Sequence, residues 1–228
     1  MQKITNGKSL QPLAGGGPKQ IVLLLHGFGS NGDDLIGMAG PWQHLLPHAL
    51  FLAPNAPQSC GMGRGYQWWA LNAYSPSALA AGAAAAAPAV NAFIDRKLDQ
   101  YGLTDSNLAL VGFSQGTMMA LHVGLRRKRA VAGIVGYSGA LTGIADLAGE
   151  IRSKPPVLLV HGSADQVVPA AALNVASREL KRLGVEVRTH LSQGLGHSVD
   201  AAGLRLGADF LVEVLVGSAD DRKATSVA

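Results

Sequence analysis

The stretch Leu108-Ala-Leu-Val-Gly-Phe-Ser-Gln-Gly116, running on into Thr117-Met-Met-Ala-Leu-His-Val-Gly124, constrains the fold of this chain more than any other. A short apolar run ends in Gly-Phe-Ser-Gln-Gly, and a run compatible with an amphipathic helix follows at once. The pattern predicts a buried strand, a sharp turn carrying Ser114, and a helix. Glycines two residues either side of Ser114 remove the Cβ atoms that would collide where strand and helix pack closely. A helix starting at the serine also brings unsatisfied N–H groups and the positive end of its dipole to the hydroxyl. Glycine and serine are common, so the pentapeptide alone reads equally as an ordinary strand-to-helix turn. The rest of the chain has to decide.

Short apolar runs alternate with helix-compatible segments along most of the 228 residues. Residues 20–26, 49–53, 108–113, 131–138 and 156–161 read as strands, most of them buried on both faces. Residues 185–191 alternate as a half-exposed strand near an edge, and pieces around Ile4 and residues 10–13 read as edge strands. Helices are expected over 33–46, interrupted near Gly40-Pro41, and over 77–101, with Pro88 kinking the helix or opening its second half. Further helices follow over 170–183, stopped by Gly184, and over 199–216. Residues 58–76 are irregular. The alternation predicts an α/β fold with a mostly parallel sheet covered on both faces. No repeat or linker divides the chain, so residues 1–217 read as one domain and 218–228 as a disordered tail.

Composition narrows the partners. Charged residues make up only 15% of the chain, yet no apolar run reaches the length of a membrane span. The longest candidate, residues 78–89, is alanine-rich and broken by Gly82 and Pro88. The N-terminus lacks the apolar core of a signal peptide. One cysteine, Cys60, excludes an intrachain disulfide and fits a reducing, cytoplasmic setting. The net charge of +4 concentrates in Arg126-Arg-Lys-Arg129. That run reads as a solvated helix end complementing the helix dipole, so neither a nucleic-acid partner nor stable membrane insertion is expected. No paired ligand spacing suggests a metal.

A serine hydroxyl needs a neutral imidazole to take its proton and a carboxylate to orient that imidazole. Asp165, in His161-Gly-Ser-Ala-Asp-Gln-Val-Val-Pro169, follows a strand, where open α/β sheets place their sites. His197, in Gly194-Leu-Gly-His-Ser-Val199, lies on a glycine-bearing loop between the last strand and the last helix. The order serine, acid, histidine matches the elbow pattern. His190 falls inside a strand and reads as structural. His122 points away from the site, and His26 and His161 read as hydrogen-bond partners of loop backbone. The oxyanion donors are expected from the backbone N–H groups of Gln115 and of Phe28, the latter on the glycine loop His26-Gly-Phe-Gly-Ser. Met62 and Trp69 are candidate substrate-pocket residues. Met118 reads as core packing and Cys60 as an inert loop residue.

Taken together, Leu25-His-Gly-Phe-Gly, Gly112-Phe-Ser-Gln-Gly, His161-Gly-Ser-Ala-Asp-Gln-Val-Val-Pro and Gly196-His-Ser resemble the phospholipase/carboxylesterase family. These are small α/β-hydrolases without a large cap domain, related to acyl-protein thioesterases. The likeness spans residues 20–216 and extends to Ala53-Pro-Asn-Ala-Pro57 and Trp68-Trp69, which match the loop that walls the acyl site. It implies a cofactor-free serine carboxylesterase acting on short- to medium-chain acyl esters, thioesters or lysophospholipids. Ser114, Asp165 and His197 would be its triad, with Phe28 and Gln115 as oxyanion donors. Such proteins often form homodimers, which the sequence neither supports nor opposes. Relatives that act on lipidated proteins carry a long apolar loop. Here residues 60–74 are short and the helix after them is mostly alanine, which favours a small ester. The triad does not separate an esterase from a peptidase, lactone hydrolase or perhydrolase. A binding protein on the same scaffold would be expected to lack a triad member.

Overall fold

Alternate side chains of each buried strand point to opposite faces, and both faces here are apolar. Leu23 and Leu25 therefore join one core cluster while Val22 and Leu24 join the other. A computed structural model describes residues 4–61, 65–71 and 75–217 of the protein. The elements in chain order are β1 (Thr5–Leu10), β2 (Gln20–Leu25), α1 (Gly32–Ile36), α2 (Ala39–Gln43), β3 (Ala49–Asn55), β4 (Gln58–Ser59) and β5 (Tyr66–Gln67). The chain continues through α3 (Pro76–Tyr101), β6 (Leu108–Phe113), α4 (Gln115–Gly124), β7 (Gly133–Tyr137) and α5 (Ile144–Glu150). It ends with β8 (Val157–Gly162), α6 (Ala171–Arg182), β9 (Val187–Ser192) and α7 (Ala201–Val216).

Among the described residues, seven strands form one sheet in the order β1-β3-β2-β6-β7-β8-β9. All neighbours are parallel except β1, which runs antiparallel to β3 at the edge. Residues of α3, α4, α5 and α6 join the core on one face, including Phe93, Leu121, Leu147 and Leu180. Residues of α1, α2 and α7 cover the other, including Leu35, Trp42 and Leu211. The strand carrying the serine lies at the centre of the sheet, bonded to β2 and β7.

Several expectations change. One strand forms near the N-terminus rather than two, and Leu13 is 51% exposed. The helical stretch after β2 breaks between Ile36 and Ala39, and Gly40-Pro41 lies inside α2. Proline is tolerated there because the first N–H groups of a helix have no intrahelical partner. Pro88 does not divide α3, which is continuous from its cap at Ser75 to Gly102, where φ is 63°. Pro88 sits on the exposed side, where solvent reaches the carbonyl its missing N–H leaves free. By length and composition α3 is also long and apolar enough to cross a membrane, with a mean hydropathy of 1.5 over its most apolar window, contrary to the reading of the sequence. In the fold it instead buries Ala83, Ala86, Ala87, Ala89, Val90, Phe93, Ile94 and Leu98 against the sheet side. Nor is Arg126-Arg-Lys-Arg129 simply a solvated helix end: α4 stops at Gly124, and Arg126 and Arg127 turn inward to ion pairs. The candidate tail, 218–228, lies outside the described residues.

Candidate active site

The elbow forms where β6 meets α4. Ser114 takes φ 55° and ψ −117°, a conformation L-residues rarely adopt. Such backbone strain costs about 1–3 kcal/mol and persists only where the surroundings impose it. Here Ser114 N–H donates to Tyr137 O at 2.9 Å, and Gly116 packs directly onto the end of β2. A Cβ on Gly116 would stand 1.7 Å from Leu25 O. A serine in this place often caps its helix through the hydroxyl. Ser114 does not, and its Oγ makes no hydrogen bond to a described residue.

The glycine loop after β2 arrives beside the serine. A Cβ placed on Gly27 would lie 3.3 Å from Ser114 Cβ. The loop is closed by Ser30 N–H to Gly27 O at 3.2 Å and held from outside by Gly29 N–H to Tyr66 O at 2.9 Å. Phe28 projects outward, 37% exposed. At its root His26 is completely buried. Its Nε2 accepts from Ala56 N–H at 3.0 Å, which fixes the proton on Nδ1 and makes that nitrogen the donor to Gly27 O at 2.7 Å. Burial holds the His26 imidazolium down in pKa, and the Gly27 bond opposes this only in part.

Asp165 lies on the loop after β8, with its carboxylate fully buried. Oδ1 accepts from Val167 N–H and Val168 N–H, each at 2.9 Å. Oδ2 accepts from His197 Nδ1 at 2.8 Å and lies 3.2 Å from His161 Nε2, which also donates to Val168 O at 2.9 Å. Burial pushes the Asp165 pKa up, but the bonds from His197 and the two backbone N–H groups outweigh it and hold the carboxyl below its ordinary value. His197 stands on the loop between β9 and α7. Its ring centroid is 4.9 Å from that of Phe113, the residue before the serine. With Nδ1 engaged by Asp165, Nε2 is the nitrogen left to exchange a proton. The two loops are stitched together by Ala164 N–H to Leu195 O at 2.9 Å and Gly194 N–H to Ser163 Oγ at 2.8 Å.

The structure thus gathers Ser114, His197 and Asp165 at the carboxyl ends of β6, β9 and β8, with Gly27-Phe28 alongside. Trp69 is 5% exposed and its ring lies under Gly82 of α3, while its backbone carbonyl accepts from Gln115 Nε2 at 2.9 Å. It borders a cavity of about 370 Å³ with Gln58, Trp68, Ala85, Ala86, Pro88 and Ala89. None of the triad candidates lines that cavity. Met62 lies outside the described residues. Met118 is core, as expected. His26 and His161 do bond loop backbone, but the approach of His161 to Asp165 was not anticipated. Neither was Ser138, whose φ is 46° and whose Oγ donates to Ser198 O at 3.3 Å beside His197. Its place directly after a buried strand was the available signal. Gln115 was expected to act through its backbone. Its side chain, buried to 1% exposure, also binds Trp68 N–H and Trp69 O.

A profile of the phospholipase/carboxylesterase family matches residues 14–215. The chain belongs to that family. Membership makes it an enzyme of the carboxylic ester hydrolase class on the α/β-hydrolase fold. Among characterised relatives of this family member, the esterase YpfH of Escherichia coli is 26% identical, over 85% of the chain and 82% of the relative. Acyl-protein thioesterase 1 of Neurospora crassa is 29% identical, over 90% and 91%. The crystal structure of esterase PE8 superposes with a TM-score of 0.89 at 42% identity, covering 93% of the chain and all of that structure. SOBER1 of Arabidopsis thaliana superposes with a TM-score of 0.73 at 25% identity, covering 86% and 99%.

Proposed function

We propose that this phospholipase/carboxylesterase family member is a serine carboxylesterase that hydrolyses short- to medium-chain acyl esters through an acyl-enzyme on Ser114. The observation that carries the reading is the 2.8 Å bond from His197 to the buried carboxylate of Asp165, with the imidazole packed beside the strained serine turn. In this mechanism Ser114 Oγ attacks the ester carbonyl while His197 Nε2 takes its proton. Asp165 keeps the imidazole in the Nδ1–H tautomer and stabilises the imidazolium. The N–H groups of Phe28 and Gln115 receive the oxyanion. His197 then protonates the leaving alcohol, and water repeats the sequence on the acyl-enzyme. Among the described residues none bonds Ser114 Oγ, which fits a resting site, because such bonds commonly tighten only with substrate in place.

Ser114→Ala is expected to abolish labelling by a fluorophosphonate and to lower kcat on p-nitrophenyl butyrate by about a thousandfold or more. Undiminished hydrolysis by that variant would overturn the assignment. Substrate class is read by comparing kcat/KM over p-nitrophenyl esters of graded chain length, matched thioesters and lysophosphatidylcholine. The proposal expects the short and medium esters to lead. A preference for long-chain thioesters or for the lysophospholipid would overturn that part.

A further inference from the structure

An oxyanion hole needs two donors aimed at one point, and here they belong to segments far apart in the chain. Gly27-Phe28 follows β2, and Gln115 opens α4. Trp68, completely buried, touches both. Its indole Nε1–H donates to His26 O at 2.8 Å, at the root of the glycine loop. Its backbone N–H donates to Gln115 Oε1 at 3.0 Å, and Gln115 Nε2 returns a bond to Trp69 O at 2.9 Å. The indole also lies against the His26 imidazole, with centroids 5.3 Å apart. Just upstream, Tyr66 N–H donates to Ser30 O at 2.8 Å while Tyr66 O accepts from Gly29 N–H. Gly65 makes this approach feasible, because a Cβ there would stand 2.1 Å from Gly29 O.

We propose that Trp68 is a positioning residue that sets both oxyanion donors at once, holding the Phe28 loop through His26 O and residue 115 through its side-chain amide. The inference rests on the reading of Phe28 and Gln115 as oxyanion donors. Each bond fixes a different degree of freedom. The indole N–H limits the height of the glycine loop, and the amide pair limits rotation of the first residue of α4 relative to that loop. Trp68 has no access to solvent, so both of its polar bonds are spent inside the protein. An ester meeting this site finds the two N–H groups already converged, without reorganisation during the reaction.

Trp68→Phe keeps an aromatic ring but removes the indole N–H together with part of the ring volume, so its packing loss is read separately, from its thermal stability. Gln115→Met keeps length and removes the amide pair while leaving the backbone N–H of residue 115. Each variant is expected to lose about 10- to 100-fold in kcat, with KM changed less than about threefold, as for a small displacement of transition-state donors. Affinity for a trifluoromethyl ketone, which forms a tetrahedral adduct on the serine, should fall by the same factor as kcat/KM. A purely structural role would lower thermal stability without this matched loss. The proposal is overturned if folded variants keep kcat within twofold, or if the loss sits in KM with ketone affinity unchanged. Should Trp68→Phe fail to fold, Gln115→Met gives the same reading from the other arm. Fluorophosphonate labelling separates the two levels. A parent enzyme that is not labelled refutes the serine assignment itself. A labelled, active parent matched by both variants refutes only the role of Trp68.

Discussion

Asp165 and His122 are both buried and titratable, and the fold treats their charges in opposite ways. Asp165 keeps its charge inside the protein because donors surround it: Val167, Val168 and His197 bond the carboxylate, and His161 stands close by. Its depressed pKa adds stability above the unfolded value, and this is lost as pH falls through the folded value. His122, 7% exposed on α4, has no partner for Nδ1 among the described residues. Burial above all, and then Arg126, lowers its pKa to about 4, with Glu150 pulling the other way. The unfolded chain therefore binds this proton at a higher pH than the folded one. Stability is complete above about pH 6.5 and falls as pH drops toward 4. We expect His122→Leu to remove on the order of 3 kcal/mol of the stability difference between pH 7 and pH 4. Urea unfolding of both proteins across that range measures it, and parallel pH profiles would contradict it. The sequence showed that His122 stands apart from the site, but its missing partner depends on what α3 and α5 bring near it.

At the scale of elements, the inward turn of the chain after α4 ties the helical layer together. Arg127, its side chain 10% exposed, binds Asp105 before β6, and Asn91 and Asp95 on α3 at 2.9 and 2.7 Å. Arg126 reaches Glu150 on α5 and the carbonyl of His122. Removing one partner of a buried pair leaves the other charge stranded. Arg127→Met should therefore cost about 3 kcal/mol, and adding Asp105→Leu should recover part of it. A shift in the denaturation midpoint at constant slope checks this, since the slope reports exposed surface. The sequence showed these cations as a cluster at a helix end. Their side-chain partners lie 22 to 36 residues away and leave no periodic trace. The same limit applies to the β4–β5 hairpin, whose strands are two residues each, and to the bonds of Trp68 across more than 40 residues. What is legible locally is the run of apolar residues in β2, β6, β7 and β8 and the pair of glycines around Ser114.

Across the whole molecule the site is held unevenly. Ser114 directly follows the central strand β6, whereas His197 hangs between the edge strand β9 and the last helix. Arg188 and Thr189 on β9 are exposed, and edge elements generally open at lower cost than core strands. Rising urea should therefore abolish hydrolysis before far-UV circular dichroism changes. On the proposed triad, fluorophosphonate labelling should fall with activity, because Ser114 loses His197 while its own turn survives. Coincident curves for all three would show that β9 and α7 open only with the rest. The turn at Ser114 carries a different consequence, for lineages rather than for single molecules. A residue held at φ 55° burdens the fold unless it is glycine, and a one-residue change to glycine would lift that burden. A duplicate gene that loses the serine in this way keeps a sound scaffold and gains stability. On the proposed role of Ser114, a Ser114→Gly protein would fold as well or better while losing hydrolysis, so stability and activity pull on this position in opposite directions.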